Sequence, residues 1–140
     1  PAQGVALHVT KNGLTLSTLK LDGGAKYYMF GRAPQTCPAG HGFVIAHPSL
    51  SRQHAVLVHA KNDALYLIDL DSAHGTCVNG ERVAPYLPRL VENGNIISFG
   101  SSTRKYVVRV FQREDELLRA GAKLSLSYKR LAGLSVSAAA

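Results

Sequence analysis

Short apolar runs separated by turn residues constrain the fold of this chain more than any other feature. The runs 55–60 and 64–70 flank Lys61-Asn62-Asp63, a favourable hairpin turn, and together they predict a pair of strands. Asn79-Gly80 lies between two further runs, and this dipeptide is the strongest short hairpin signal known. Similar runs follow one another closely as far as Phe111. Many short strands joined by Gly and Asn turns predict an all-β sandwich.

The individual strands follow from these runs and from the residues that interrupt them. We predict strands at 14–21, 26–30, 43–45, 55–60, 64–70, 76–78, 81–83, 96–100 and 106–111. Residues 33–42 contain two prolines and two glycines, which predicts a loop. Pro85 and Pro88 indicate an irregular stretch that continues to Leu90.

The length of 140 residues predicts one domain, which we place at residues 13–111. A domain of this size buries enough surface to need no metal or disulfide. Residues 1–12 show no firm pattern, and we expect an N-terminal extension or an edge strand. Residues 112–140 are expected to form a C-terminal extension that is partly helical or disordered. This extension would be a short helix or a tail. Because the chain begins at Pro1 rather than Met, we expect it to be a piece of a longer protein.

Composition narrows the setting and the kind of partner. No apolar run approaches the roughly 20 residues of a membrane span, so we expect no membrane contact. Cys37 and Cys77 form neither a disulfide framework nor a metal signature, which favours a reducing intracellular compartment. The net charge of +7 favours an acidic or phosphorylated partner. The basic residues are scattered, whereas a nucleic-acid surface shows a denser stripe.

Three polar loops stand between the predicted strands. They contain Gly31-Arg32, the stretch 47–54 and the stretch 71–80. Loops at one end of a rigid β scaffold often converge on one ligand. These loops carry one arginine, a second arginine beside a serine, and a Ser- and Gly-rich turn with many backbone donors. That chemistry suits an anion, and a phosphate above all.

The three loops, in this order, resemble the forkhead-associated (FHA) domain. The resemblance rests on Gly31-Arg32, on Ser51-Arg52-Gln53-His54 and on the stretch 69–80, and it covers residues 14–111. It implies an eleven-stranded β-sandwich that binds phosphothreonine peptides through loops at one end and catalyses nothing. It also implies a nuclear setting, in transcript processing or phosphatase control, with the cytoplasm as the alternative. We expect a monomer that uses no cofactor and no metal.

The resemblance further implies which residues contact the phosphopeptide. They are Arg32, Ser51, Arg52, Ser72, Ala73, His74 and Asn79. Arg32 would reach the phosphate with a bidentate guanidinium, the hydroxyl of Ser51 would donate to it, and Arg52 would lie over it. His74 stands in place of the commoner Asn that holds the peptide backbone, and Asn79 would shape the peptide surface. Ala73 replaces the usual Thr, whose hydroxyl is an additional phosphate donor.

Three further residues have scaffold roles in the resemblance. His54 would brace the Ser51 loop from beneath, as a buried structural histidine. Gly31 and Gly75 would let loops approach closely, because glycine has no side chain to obstruct them.

Two other kinds of site lack the residue arrangement that they would need. A hydrolase triad of Ser51, His54 and Asp69 or Asp71 is disfavoured, because a Ser and a His three apart on one loop rarely align and no Gly-x-Ser-x-Gly elbow is present. A zinc site from Cys37, His41 and His47 lacks the spacing and ligand number of a closed tetrahedron. Weak nucleic-acid binding through the positive charge stays as the alternative to peptide binding.

Overall fold

The computed structural model describes residues 3–21 and 25–112. Over these residues the chain forms eleven β-strands and one 3₁₀ helix, Pro34–Thr36. The strands are β1 (Gln3–Lys11), β2 (Leu14–Lys20), β3 (Tyr27–Gly31), β4 (Gly42–Val44), β5 (Ala55–His59), β6 (Leu65–Asp69), β7 (Thr76–Val78), β8 (Glu81–Arg82), β9 (Arg89–Val91), β10 (Ile96–Phe99) and β11 (Lys105–Gln112). They build two sheets around one core, which confirms the predicted all-β, eleven-stranded sandwich. No helix in these described ranges is long and apolar enough to span a membrane.

The two sheets differ in size and meet through their apolar faces. One has six strands in the order β2-β1-β11-β10-β7-β8, and the other has five in the order β4-β3-β5-β6-β9. Pairings are antiparallel except that between β3 and β4. Because successive side chains of a strand alternate between faces, β6 buries Leu65, Leu67 and Asp69 in turn. Phe30 of β3 stacks on Phe99 of β10, with ring centroids 5.2 Å apart, and this contact joins the two sheets beneath the loops.

The structure corrects the extension expected at residues 1–12. β1 lies between β2 and β11 inside the six-stranded sheet, so it is neither an extension nor an edge. It pairs with β11 along eight residue pairs and buries Val5, Leu7 and Val9. These three side chains alternate as a strand requires, but the alternating pattern is short. The strand that pairs with β1, β11, lies about a hundred residues away in the chain, so the sequence signal for β1 is weak.

A second strand lies in the stretch predicted to be irregular. β9 pairs with β6, with Leu65 opposite Val91, and completes the five-stranded sheet. Pro88 precedes it directly and, since proline cannot donate to a ladder, the sequence signal favours a loop. The predicted loop 33–42 contains the 3₁₀ helix. The strand predicted at 43–45 is β4, one residue earlier in the chain, and its apolar Val44 is 45% exposed. The expected C-terminal helix or tail lies, from residue 113 onward, outside the described residues.

Candidate functional site

The three polar loops meet at one end of the sandwich and enclose an open cleft. Its volume is about 650 Å³. Five residues of the predicted binding set line it: Arg32, Ser51, Arg52, Ala73 and His74. The remaining lining residues are Thr36, Pro48, Ser49, Leu50 and Gln53. The cleft therefore gathers two arginines, three hydroxyl groups and a histidine, with no carboxylate among the lining residues.

Arg32 enters the cleft directly after β3 and is held there from two directions. Its backbone N–H donates to the carbonyl of Ser51 at 3.0 Å, and its Nε–H donates to the carbonyl of Leu50 at 3.1 Å. The guanidinium is thereby oriented, and its terminal N–H groups have no hydrogen-bond acceptor among the described residues. A planar group fixed in this way is suited to bidentate contact with a phosphate.

Gly31 allows β3 to approach the Ser51 loop. A Cβ atom at this position would overlap the carbonyl oxygen of Arg52. The obstacle is backbone, which cannot rotate away as a long side chain can. A side chain at position 31 would therefore separate the two loops that carry the arginines.

Ser51 links the second loop to the third. Its Oγ accepts the backbone N–H of Ala73 at 3.0 Å. Accepting that bond uses an oxygen lone pair and leaves the hydroxyl hydrogen available, and no acceptor for it lies within the described part of the chain. The Ser51 hydroxyl is thus positioned at the cleft as a donor before any ligand arrives.

His54 lies beneath both of these loops. Its ring is fully buried and packs edge-on against Phe99. Nδ1 accepts the backbone N–H of Ser51 at 3.1 Å, so Nε2 carries the proton and donates to the carbonyl of Gly75 at 2.8 Å. One imidazole therefore ties the Ser51 loop to the turn that carries Ala73 and His74.

This geometry makes stability depend on pH. Burial lowers the pKa of His54, although its bond to Gly75 and the charge of Asp69 act in the opposite direction. The pKa of this histidine is therefore lower in the folded chain than in the unfolded chain, and the free energy of unfolding should fall as pH drops through about 6.5, the pKa of an unperturbed histidine. Thermal unfolding across this range, compared with His54→Gln, measures the effect. If the free energy of unfolding depended equally on pH in both proteins, the prediction would be contradicted.

Asp69 holds the third loop from inside the core. Its carboxylate is 1% exposed and accepts from the Ser72 backbone N–H at 3.1 Å, from the Ser72 hydroxyl at 2.6 Å and from the Thr76 hydroxyl at 2.6 Å. Ser72 is consequently buried and does not line the cleft. Its side chain shapes the turn, and the neighbouring Ala73 and His74 face the open side.

Asn79 also lies away from the cleft. Its φ angle of 51° and that of Gly80, 82°, form the predicted two-residue hairpin between β7 and β8. The side-chain oxygen of Asn79 accepts the backbone N–H of Ile96 at 2.8 Å. The residue therefore joins the hairpin to β10, and the structure does not bring it together with the arginines.

Gly75 has both a positive φ and a close neighbour. Its φ is 83°, a conformation that side chains rarely adopt. A Cβ atom would also come within 2.7 Å of the Nε atom of Arg82. Glycine here lets the turn after His74 fold down onto the guanidinium of Arg82.

Of the five lining residues that were not predicted, two carry hydroxyl groups, Ser49 and Thr36. The Ser49 hydroxyl donates to Nδ1 of His47 at 2.8 Å and accepts the backbone N–H of Ser101 at 2.9 Å. The Thr36 hydroxyl lies 3.1 Å from the carbonyl oxygen of Arg52. Ser49 stands two residues before Ser51 in the same loop, and this proximity was a usable signal; for Thr36 the sequence contains none.

The structure does not assemble the alternative sites. His54 contacts the backbone N–H of Ser51 rather than its hydroxyl, and Asp69 bonds to Ser72 and Thr76, so no triad forms. No group of three metal-binding side chains comes together anywhere in residues 3–21 and 25–112.

Comparison with known proteins bears on this cleft and on the sandwich beneath it. The FHA domain family pattern matches residues 28–100, which is more than half of the chain. A protein phosphatase 1 regulatory inhibitor subunit PPP1R8 homolog of Arabidopsis thaliana is 44% identical over 110 residues, covering 78% of this chain and 28% of the relative. The human nuclear inhibitor of protein phosphatase 1 is 41% identical over 110 residues, covering 78% and 30%. The chain thus spans less than a third of the length of these relatives.

His74 and residues 98–106 predict similarity to the nuclear inhibitor type within the family, and these identities confirm it. A solved structure from an analysis of phosphothreonine-dependent FHA domain interactions superposes with a TM-score of 0.58 at 24% identity, covering 76% of this chain and 95% of that one. This likeness supports the fold. The matched pattern, the eleven-stranded sandwich and the three loop motifs around one cleft show that the chain belongs to the FHA domain family, whose domains are protein-interaction modules.

Proposed function

We propose that this chain binds phosphothreonine peptides in the cleft and so recruits phosphorylated partner proteins, without catalysing a reaction. The observation that carries the proposal is the gathering of Arg32, Ser51 and Arg52 around one open cleft. Arg32 and Ser51 both keep donors that no described residue accepts. A phosphate brings a charge of about −1.5 to −2 at pH 7 and three strong acceptor oxygens, which match these donors.

The proposed roles follow from the position of each side chain. Arg32 contacts two phosphate oxygens, the Ser51 hydroxyl donates to a third, and Arg52 neutralises the remaining charge. His74, exposed on the rim, contacts the peptide backbone. Ser72 and Asn79 do not contact the peptide, and act indirectly by holding their own turns in place.

The decisive experiment compares a peptide with its own unphosphorylated form. A phosphothreonine peptide is selected from an oriented library and titrated calorimetrically in both forms. We expect binding of the phosphorylated form alone. Equal affinity for the two forms would overturn the proposal. Random single-stranded RNA, titrated at several salt concentrations, tests the alternative; a steep loss of RNA affinity with salt, together with no preference for phosphate, would favour nucleic-acid binding.

The cellular setting is proposed from the relatives. Similarity to the nuclear inhibitors of protein phosphatase 1 supports a nuclear location and phosphorylated nuclear proteins as partners. We infer a monomer because the described residues bury a core of their own, with nineteen apolar residues in one cluster. Light scattering of the purified chain, with and without phosphopeptide, tests whether it is a monomer.

A prediction arises from the alanine at position 73. Ala73 is exposed at the cleft, and its backbone N–H is already engaged by Ser51. A hydroxyl there would give the phosphate an additional donor, so Ala73→Thr should tighten phosphothreonine binding. A hydrogen bond that replaces water contributes about 0.5–1.5 kcal/mol, or roughly two- to tenfold. Calorimetric titration measures the change.

Ala73→Val is the matched control, because valine has nearly the shape of threonine without its hydroxyl. It should not tighten binding, and the unphosphorylated peptide should respond to neither variant. If Ala73→Thr left phosphopeptide affinity unchanged or weaker, the phosphate would have to lie elsewhere or already be satisfied at that oxygen.

A further inference from the structure

A second polar depression lies beside the cleft, on the other side of the turn at residues 47–49. Its walls are formed by Lys11 at the end of β1, by His47, and by Ser102, Thr103 and Arg104 between β10 and β11. Buried Ile45 contributes an apolar surface. Lys11, Thr103 and Arg104 do not line the cleft.

Hydrogen bonds connect this depression to the cleft. His47 lines the depression and Ser49 lines the cleft, and the two are joined through Nδ1 of His47 and the Ser49 hydroxyl at 2.8 Å. The Ser49 oxygen also accepts the backbone N–H of Ser101. The turn at 47–49 and the loop at 101–104 therefore form one connected wall between the cleft and the depression.

The wall residues are also held in place. The Ser102 hydroxyl, on a residue only 8% exposed, accepts the backbone N–H of Arg104 at 3.3 Å. Nδ1 of His47 accepts from the Ser49 backbone at 3.1 Å as well as from its hydroxyl, so Nε2 is the protonated ring nitrogen. The depression thus combines two cationic side chains with hydroxyl and imidazole donors.

In the described part of the chain no carboxylate lines the depression or the cleft, although Asp71 is exposed on the third loop. The carboxylates of residues 3–21 and 25–112 belong to Asp63, Asp69, Asp71, Glu81 and Glu92. Asp69 is buried in its own hydrogen bonds, and Glu81 pairs with Arg89 at 3.3 Å. Asp63 and Glu92 line a separate depression next to Val110. In the described part of the chain, neither Lys11 nor Arg104 forms an ion pair.

We propose that this depression, with Lys11 and Arg104 as its charged ligands, binds a second acidic group of the same phosphopeptide, a further phosphate or a carboxylate side chain. The proposal rests on the proposed function, because the peptide must first be anchored in the neighbouring cleft. It extends that function by naming the substrate class: acidic or multiply phosphorylated segments are preferred to singly phosphorylated neutral ones.

The test scans the position of the second acidic group. Each peptide carries one phosphothreonine in a neutral background, with phosphoserine, Glu or Asp placed in turn within about four residues on either side, a reach of roughly 14 Å of extended chain. Calorimetry measures affinity. At one favoured spacing we expect a gain of about three- to tenfold, because exposed charge pairs contribute modestly. A gain with phosphoserine alone identifies phosphate as the ligand, and a gain with all three shows that a carboxylate suffices.

The variant Lys11→Gln/Arg104→Gln should abolish this gain while leaving affinity for the singly phosphorylated peptide within about twofold. Lys61→Gln is the matched control, since this exposed lysine lies in the turn between β5 and β6, away from both surfaces. Neutralising it should leave the spacing-dependent gain intact.

Three outcomes would overturn this proposal alone. One is tight binding of the singly phosphorylated peptide with no gain at any spacing, which leaves the proposed function standing. Another is an equal loss of the gain in Lys61→Gln, which would show general electrostatic steering. The third is competition by RNA. If RNA displaced both kinds of peptide from the unaltered chain but not from Lys11→Gln/Arg104→Gln, the depression would be a nucleic-acid site. No binding of the singly phosphorylated peptide would overturn the proposed function and this proposal together.

Discussion

An Arg32→Ala variant is expected to bind phosphothreonine peptides at least about tenfold more weakly than the unaltered chain and to remain folded. Each charge-assisted hydrogen bond to the phosphate contributes roughly 1.5–3 kcal/mol, and the guanidinium can make two. Arg32 is exposed and contributes one side-chain bond to the scaffold, from Nε to the Leu50 carbonyl. Its loss should therefore affect affinity far more than stability. Calorimetric titration and thermal unfolding of the same preparation measure both.

Arg32→Lys separates charge from geometry. Lysine keeps the positive charge but has neither the planar fork nor an Nε donor directed at Leu50. We expect it to recover only part of the lost affinity. Full recovery would indicate that Arg32 acts as a point charge, and unfolding of Arg32→Ala would place the residue in the scaffold instead.

A His54→Ala variant is expected to lower the melting temperature by at least about 10 °C. It removes a buried ring and leaves the Ser51 N–H and the Gly75 carbonyl without their partner. Each buried unsatisfied group costs about 1–3 kcal/mol, and about 1 kcal/mol shifts the midpoint by roughly 4–8 °C in a domain of this size. Scanning calorimetry measures the shift.

His74→Ala is the comparison for this prediction. His74 is an exposed histidine on the loop next to Gly75, and its removal should change stability by no more than about 0.5 kcal/mol. A melting temperature unaffected by His54→Ala would contradict the bracing role. In that case the two loops would be held together by the bond from the Ala73 N–H to the Ser51 hydroxyl.

The two predictions reflect a division between residues whose polar groups are all engaged and residues whose donors remain available. Both ring nitrogens of His54 and both carboxylate oxygens of Asp69 are bonded within the protein. Arg32 and Ser51 use some of their capacity to hold the loops and direct the remainder into the cleft. A ligand arriving there meets donors that are already ordered, which reduces the entropy lost on binding.

The sequence alone determined the features that depend on neighbouring residues. Alternation of apolar side chains and the turn chemistry of Asn79-Gly80 predict most strands and the sandwich, because strand and turn formation are governed over a few residues. The order of the loop motifs likewise predicts the family and the position of Arg32 and Ser51 at one end. These signals are local, so they can be recognised without knowing which strands pair with one another.

Only the tertiary structure decided the features that depend on residues far apart in the chain. β1 becomes an interior strand because β11 pairs with it, and Ser72 turns inward because the buried carboxylate of Asp69 holds it. The depression beside the cleft exists because Lys11 at the end of β1 and Arg104 before β11 are brought together to line one site. A side chain's direction depends on which distant group satisfies its hydrogen bonds, and residue order does not specify that partner.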